Sequence, residues 1–306
     1  MELNNILNKA FKWVWDNIEF FDVLNECNRQ SKKTEDIAIK MLGELCLTLM
    51  LLHKIKNQLS EDNRMYFNNM ILFIQNILTK PLYYERIMVN PNHFWLYGLV
   101  ICYFLKIKED TLLRSVVEKT YKIAEKLAVE IVPYRQMDHL HTINLLSNII
   151  PGIQKDEKRM DKYAKLSILY SDLNLTLIQF SEEYALTHSI FYYTEFGEKP
   201  IKLSKKRLEI IKKCVSVQAL MSIIKDDCDL LAEYIMCFAN LNMRNELSEF
   251  CLNYLISKQY EDGTFPNINR NDVSGEKYQE DYVVRNYHTV LVVVMALALY
   301  IKSDEK

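Results

Sequence analysis

Glycine and proline are scarce, 6 of each in 306 residues, where ordinary usage at about 7% would give roughly twenty glycines. So few chain punctuators exclude a turn-rich architecture and imply long helices. Charge of one sign is also missing: 38 Lys and Arg face 40 Asp and Glu, a net charge of −2. With no basic excess to neutralise phosphates, nucleic acid is not expected as a partner. The 7 cysteines are odd in number and spread out, with no C-x-x-C pair. Cys46, Cys102 and Cys237 fall inside apolar runs, where a free thiol behaves as a small hydrophobe, so a reducing cytoplasm is expected. The opening stretch MELNNILNKAFKWVWDNIEFF lacks a basic region followed by a clean apolar one and does not read as a signal peptide. The longest nearly uncharged run, His288 to Ile301, is 14 residues, short of the roughly 20 that span a bilayer. It reads as a buried helix, with no membrane span. Missing too are a Gly-rich phosphate loop, H-E-x-x-H, G-x-S-x-G and zinc-ribbon spacing, so no nucleotide cofactor is expected.

Apolar residues at i, i+3 and i+4 recur in nearly every segment, and no convincing set of alternating strands appears, so the chain is expected to be all-α. Helices are expected at about 3–25, 35–55, 62–79, 92–107, 110–130, 138–150, 159–182, 185–196, 204–224, 227–242, 245–257 and 287–302, with ends uncertain by about 2–4 residues. They form six hairpins whose members differ. The first of each pair is longer or more charged, as in DTLLRSVVEKTYKIAEKLAVE. The second is apolar nearly all round, as in LLAEYIMCFANL and HTVLVVVMALALY, and must be buried on every side. That alternation suits an (α/α)6 toroid, an outer ring in water around an inner ring lining a central cavity, as one domain over residues 1–306. An open α-solenoid of stacked hairpins uses the same pattern and is the alternative.

Near the C-terminus, FCLNYLISKQYEDGTFPN carries Gln259, Asp262, Gly263 and Phe265 after an apolar helix. This element resembles the Q-x-x-D-G-x-W/F motif of terpenoid cyclases, prenyltransferase β-subunits and their α/α-toroid relatives, and YHTVLVVVMALALY resembles the inner helix that follows it there. The resemblance covers about 50 residues, the rest agreeing only in helix pattern. It implies the fold, with the motif ending an outer helix and turning the chain inward. It does not carry over the function. D-D-C-D at Asp226 to Asp229 matches neither D-x-D-D nor D-D-x-x-D, and Trp13, Trp15 and Trp95 are too few for sugar platforms.

His93, His141, His188 and His288 stand just ahead of, or in the opening turn of, apolar runs. In a toroid the inner helices are parallel, so these imidazoles gather at one mouth, where helix N-termini favour an anionic ligand and neutral imidazole. Two or three neutral histidines with a carboxylate form a common Zn or Fe shell. The expected metal set is His141, His188, His288 and Asp281, with His93 in support. The plainer reading of any one of them is a cap or a packing residue. Helical spacing puts Tyr184, His188 and Glu195 on one stripe, an acid-base set or, equally, a Tyr-rich core whose hydroxyls are satisfied by Glu and His. Asp226, Asp227 and Asp229 are read as capping residues. Glu233, Tyr234 and Glu44, on otherwise apolar helices, join as secondary cavity candidates, because a buried carboxylate is costly unless paired or functional. Taken together, the catalytic candidates are His188, Glu195, Tyr184 and Glu233. The expected function is an enzyme modifying a small molecule or peptide in a His/carboxylate cavity, with a divalent metal if the histidines are ligands, in natural-product biosynthesis by fold resemblance. The alternative is a non-catalytic scaffold that holds a peptide or protein.

Overall fold

The computed structural model describes residues 2–25, 32–89, 96, 98, 100–102, 104, 110–127, 131–174, 178–266 and 278–303. Among these residues all regular structure is helical and no strand occurs, as the apolar spacing requires. The helices are α1 (Glu2–Asp16), α2 (Lys32–His53), α3 (Glu61–Leu78), α4 (Pro81–Val89), α5 (Thr111–Leu127), α6 (Pro133–Ser147), α7 (Glu157–Leu166), α8 (Phe180–Tyr193), α9 (Lys205–Ile224), α10 (Cys228–Asn240), α11 (Glu246–Ser257) and α12 (Tyr278–Ser303). Leu96, Gly98, Val100, Ile101, Cys102 and Phe104 are also helical.

Side-chain capping sets several of the helix starts. Ser60, Ser204 and Asp227 each accept from the backbone N–H three residues on, opening α3, α9 and α10, and Asn245 with Ser248 forms a reciprocal box at α11. Several elements depart from expectation, among them the helix expected at 3–25, which ends at Asp16 and is followed by a 3-10 turn over Ile18–Phe21. Pro133 starts α6 instead of preceding it, since proline at the first helical position loses no intrahelical bond. The expected helix 159–182 stops at Leu166, where the Ser167 hydroxyl accepts from the Leu169 N–H and begins a short 3-10 turn. The polar stretch before residue 287 is helical from Tyr278. Helix α4 was not expected at all; it too opens on a proline.

The second members of the hairpins form the interior. Every residue of α10 except Ala239 is buried. Helix α12 packs between α10 and α2, α10 packs on α8, and α8 packs on α6. Two glycines permit the remaining close approaches. A Cβ on Gly98 would lie 2.3 Å from Thr142 Cγ2 of α6, and one on Gly43 of α2 would lie 3.2 Å from Leu96 Cδ2. The contacts therefore run in a circuit: α2, the helical residues from 96 to 104, α6, α8, α10, α12, and α2 again. More exposed helices lie outside it, α7 against α6 and α8, α9 and α11 against α10, and α1 against α3 and α12. By length and composition Asp281–Lys302 of α12 is apolar enough to cross a membrane, yet 78% of its most apolar window is buried within the fold, as in a core helix.

The element around Asp262-Gly263 ties α1 to α12. Gln259 donates to the Ile6 carbonyl of α1 at 3.0 Å and to the Gly263 carbonyl at 3.3 Å. Asp262 Oδ1 accepts from the Thr264 N–H at 3.0 Å and the Thr264 hydroxyl at 2.7 Å, while Tyr282 of α12 donates to Asp262 Oδ2. Phe265 is fully buried beneath the turn.

Candidate functional site

Helices α2, α6, α8, α10 and α12 together enclose a cavity of about 440 Å³. Its polar wall includes Glu44, Arg135, Tyr184, His188, Glu233 and His288, and its apolar wall includes Phe191, Phe196 and Met295. A polar depression of about 410 Å³ shares Lys40, Phe180, Tyr184 and His288 with it and adds Asp229. A second cavity of about 600 Å³ lies beyond Leu47 and Phe196, which border both. Lys40 and Glu44 of α2, Tyr134 and Arg135 of α6, and His288 of α12 line the first cavity, while Met50, His141 and Lys302, further along the same helices, line the second. These three helices therefore run in one direction, with their N-terminal halves around the first cavity.

In the first cavity, His288 Nδ1 is 2.9 Å from Glu44 Oε2 and its Nε2 is 3.7 Å from Asp229 Oδ2. Burial alone would lower the pKa of this imidazole, but the Glu44 and Asp229 carboxylates overcome it and hold it up at about 9. For Glu44, burial acts upward and is outweighed by His288 and Lys40, which hold the carboxyl down at about 2. Tyr184 donates to Asp229 Oδ2 at 2.7 Å, and Thr187 donates to Glu233 Oε2. Burial, with Asp229 adding repulsion, pushes the Glu233 carboxyl well above the usual carboxylate range and favours its protonated form.

His188 has the opposite character. Its Nδ1 lies 2.9 Å from the Tyr184 carbonyl oxygen, so that nitrogen carries the hydrogen and donates it. Burial, followed by the charges of Arg135 and His288, drives its pKa down to about 3. The ring is neutral, with an Nε2 lone pair for the cavity. Nearby, Arg135 is 3.4 Å from Asp138 Oδ2, and burial raises the Asp138 carboxyl to about 6.

The expected site is thus partly assembled. Tyr184, His188, Glu233 and His288 meet in one cavity, joined by Glu44. His93 lies outside the described residues. His141 does not join them. Because α6 begins at Pro133, Tyr134 and Arg135 reach the first cavity, and His141, six residues further, sits about 9 Å deeper at 1.5 Å per residue, in the wall of the second. Glu195 is also displaced. Helix α8 ends at Tyr193, and Glu195, Phe196 and Gly197 take positive φ values of 47°, 54° and 78°. The stripe that would carry Glu195 toward His188 is broken there, and Glu195 lines the second cavity, 2.7 Å from Lys199 Nζ. Asp281 lies two turns before His288, roughly 10 Å up the axis of α12, and lines none of the described cavities. The residue overlooked is Asp229. Asp227 is the cap, as expected, and Asp226 bonds Tyr254 and Lys258, but Asp229 stands four residues before Glu233 and so shares its face. Asp229, Glu233 and His288 each offer a ligand atom, all lying within 4.8 Å of one another, the only such group of three or more among the described residues.

His141 provides a test of burial independent of that site. Burial, assisted by Lys54, Lys199 and Lys155 against Glu195, lowers its pKa to about 4, so between pH 4 and the unfolded value near 6.5 the unfolded chain binds the extra proton. Its contribution is complete above about pH 6.5 and is lost as pH falls through about 4. Denaturant titrations of His141→Phe should therefore show an acid limb flatter than the wild type by up to about 3 kcal/mol between pH 7 and 4.

Comparison with curated proteins and with solved structures finds no match. A family profile does match, over residues 7–298, from within α1 to within α12. That span covers nearly the whole circuit and both cavities, and the chain accordingly belongs to the family described as domain of unknown function DUF6895.

Proposed function

We propose that this protein is an enzyme that modifies a small molecule or a peptide by proton transfer in its first cavity, inside a closed (α/α)6 toroid. The observation that carries this reading is the opposed ionisation of neighbouring groups in one enclosed space. His188 is held neutral and Glu233 protonated, while the imidazole of His288 is held charged between two carboxylates. Environments that push neighbouring pKa values apart supply an acid and a base at one pH. His188 accepts a proton at Nε2, Glu233 delivers one, and Tyr184 and Thr187 fix the carboxylates. Phe191 and Phe196 keep water from the reacting atoms. A passive scaffold for a peptide has no use for these buried titratable groups, each unfavourable to desolvate. The return of α12 to α2 favours the ring over the open solenoid, and the buried free thiols of Cys46, Cys102 and Cys237 suit a reducing cytoplasm.

A divalent metal ion fits at the edge of the same cavity, on a set that shares only His288 with the one expected. Asp229, Glu233 and His288 would hold it, and each is already oriented by a partner, Tyr184, Thr187 and Glu44 respectively. Asp229 Oδ1 is buried without a hydrogen-bond partner, an acceptor a cation would satisfy. When bound, such an ion supplies Lewis acidity and lowers the pKa of a coordinated water.

The test compares wild type with His188→Asn and Glu233→Gln in a small-molecule and peptide extract followed by mass spectrometry. The wild type should deplete a specific component, and each variant should slow that depletion by about 10²–10⁴-fold with its helical circular dichroism unchanged. An extract left unchanged by the wild type, or depleted equally by the variants, overturns the proposal.

A further inference from the structure

We infer that the second cavity is a separate binding site for a neutral, largely apolar molecule carrying one hydroxyl or amide group, which His141 engages by a hydrogen bond. The cavity holds about 600 Å³ and is walled by Leu47, Met50, Leu51, Leu145 and Phe196, a size and lining that suit a small organic ligand. Of the polar residues that line it, His141 is the buried one. It is only 4% exposed, and its Nδ1 is buried with no hydrogen-bond partner. Its other neighbours are rings, Tyr192 at 5.6 Å and Phe196 at 5.4 Å between centroids. Buried imidazoles are normally paired, because an unmet donor or acceptor forfeits the hydrogen bond it had with water. Nδ1 is sealed in the protein, whereas Nε2 is not, leaving it open to a molecule in the cavity.

Charge at the mouth points to a neutral ligand. Glu198 is bound by Lys54 at 2.5 Å and by Lys302, while Glu195 is bound by Lys199 at 2.7 Å and Lys155 at 3.5 Å. The ammonium groups are engaged by carboxylates at the rim, where the exposed His53 also lies, so the buried interior presents the His141 imidazole among apolar walls. The site is independent of the proton chemistry assigned to the first cavity, from which Leu47 and Phe196 divide it.

2-Naphthol serves as probe, with naphthalene and 2-naphthoate as comparators, in isothermal titration and in histidine nitrogen NMR of the full chain. The wild type should bind 2-naphthol at least about tenfold more tightly than naphthalene, one hydrogen bond of about 1.4 kcal/mol, and more tightly than 2-naphthoate. The NMR shift on binding should fall on His141 and leave His188 unmoved. His141→Phe should abolish the preference for the hydroxyl while keeping naphthalene binding. Leu145→Trp, which fills the space, should weaken both ligands more than tenfold. Met295→Trp, which fills the first cavity instead, should leave 2-naphthol binding as it was. A wild type that binds no 2-naphthol, equal affinity for 2-naphthol and naphthalene, a shift at His188 in place of His141, or loss of binding in Met295→Trp each overturns the inference. The NMR result is read on wild-type protein, so it stands even if a variant fails to fold.

Discussion

Gly263→Ala is expected to destabilise the protein by about 3–5 kcal/mol, the upper range for a single substitution. Two causes add. The backbone at Gly263 has φ of +94°, a region in which a side chain incurs strain of roughly 1–2 kcal/mol. The new Cβ would also lie 2.3 Å from the Lys9 carbonyl oxygen and 2.7 Å from its carbon. Both are backbone atoms of α1, so relief requires α1 to move as a body, which pulls Ile6 away from Gln259. Gly152 isolates the first cause. Its φ is +97°, and a Cβ there meets nothing within 4 Å, so Gly152→Ala should cost only the strain, about 1–2 kcal/mol. Urea midpoints of the two variants at equal slope measure the difference. Equal losses would show that contact between the turn and α1 contributes nothing.

Glu44→Gln is expected to change the electrostatics of the first cavity more than any other single substitution. The Glu44 carboxylate supports the His288 imidazolium at 2.9 Å, helped by Asp229. Without it, burial prevails and the His288 pKa falls from about 9 toward or below neutrality. In the wild type this raised pKa contributes stability that is complete below the unfolded value near 6.5 and is lost as pH rises through about 9. The side chain of His288 keeps 27% exposure, so screening trims the contribution to roughly 1–2 kcal/mol. The variant should lack this alkaline loss, and a histidine NMR titration should show the lowered pKa directly. If an ion occupies Asp229, Glu233 and His288, the same change should weaken its affinity by about 10–100-fold, because the ring loses the charged carboxylate that orients it and raises its basicity. A His288 titration unmoved by the substitution would remove Glu44 from the site.

The sequence made the interior helices legible because burial on all sides leaves a composition that nothing else produces. HTVLVVVMALALY lies in the core helix α12 between α2 and α10. His188 and His288 were legible for the same reason, as polar residues on otherwise apolar inner helices. Depth along the helix axes was less legible. His141 looked equivalent to the other two histidines, but its depth depends on whether Pro133 precedes the helix or begins it. Glu195 matched His188 only by counting through a helix that ends at Tyr193. Asp229 was hidden by its neighbours: an acid in a first turn resembles a cap, and only the assignment of that role to Asp227 frees Asp229 to pair with Glu233. Glu44 and Glu233 could be suspected from the cost of burial, but their partners come from other hairpins, and no local pattern announces them.

The position of α12 between α10 and α2 also bears on how the chain is made. Synthesis proceeds from the N-terminus, so α12 leaves the ribosome after every other described helix. Until it does, the apolar flanks of α2 and α10 have no covering and the two cavities lack a wall. A nascent chain in that condition exposes the kind of surface that chaperones bind and that aggregates. The last of the described helices to be translated thus acts as the keystone of the fold, and a premature stop even slightly upstream of Tyr278 should yield a sticky, proteolysed fragment instead of a smaller working protein.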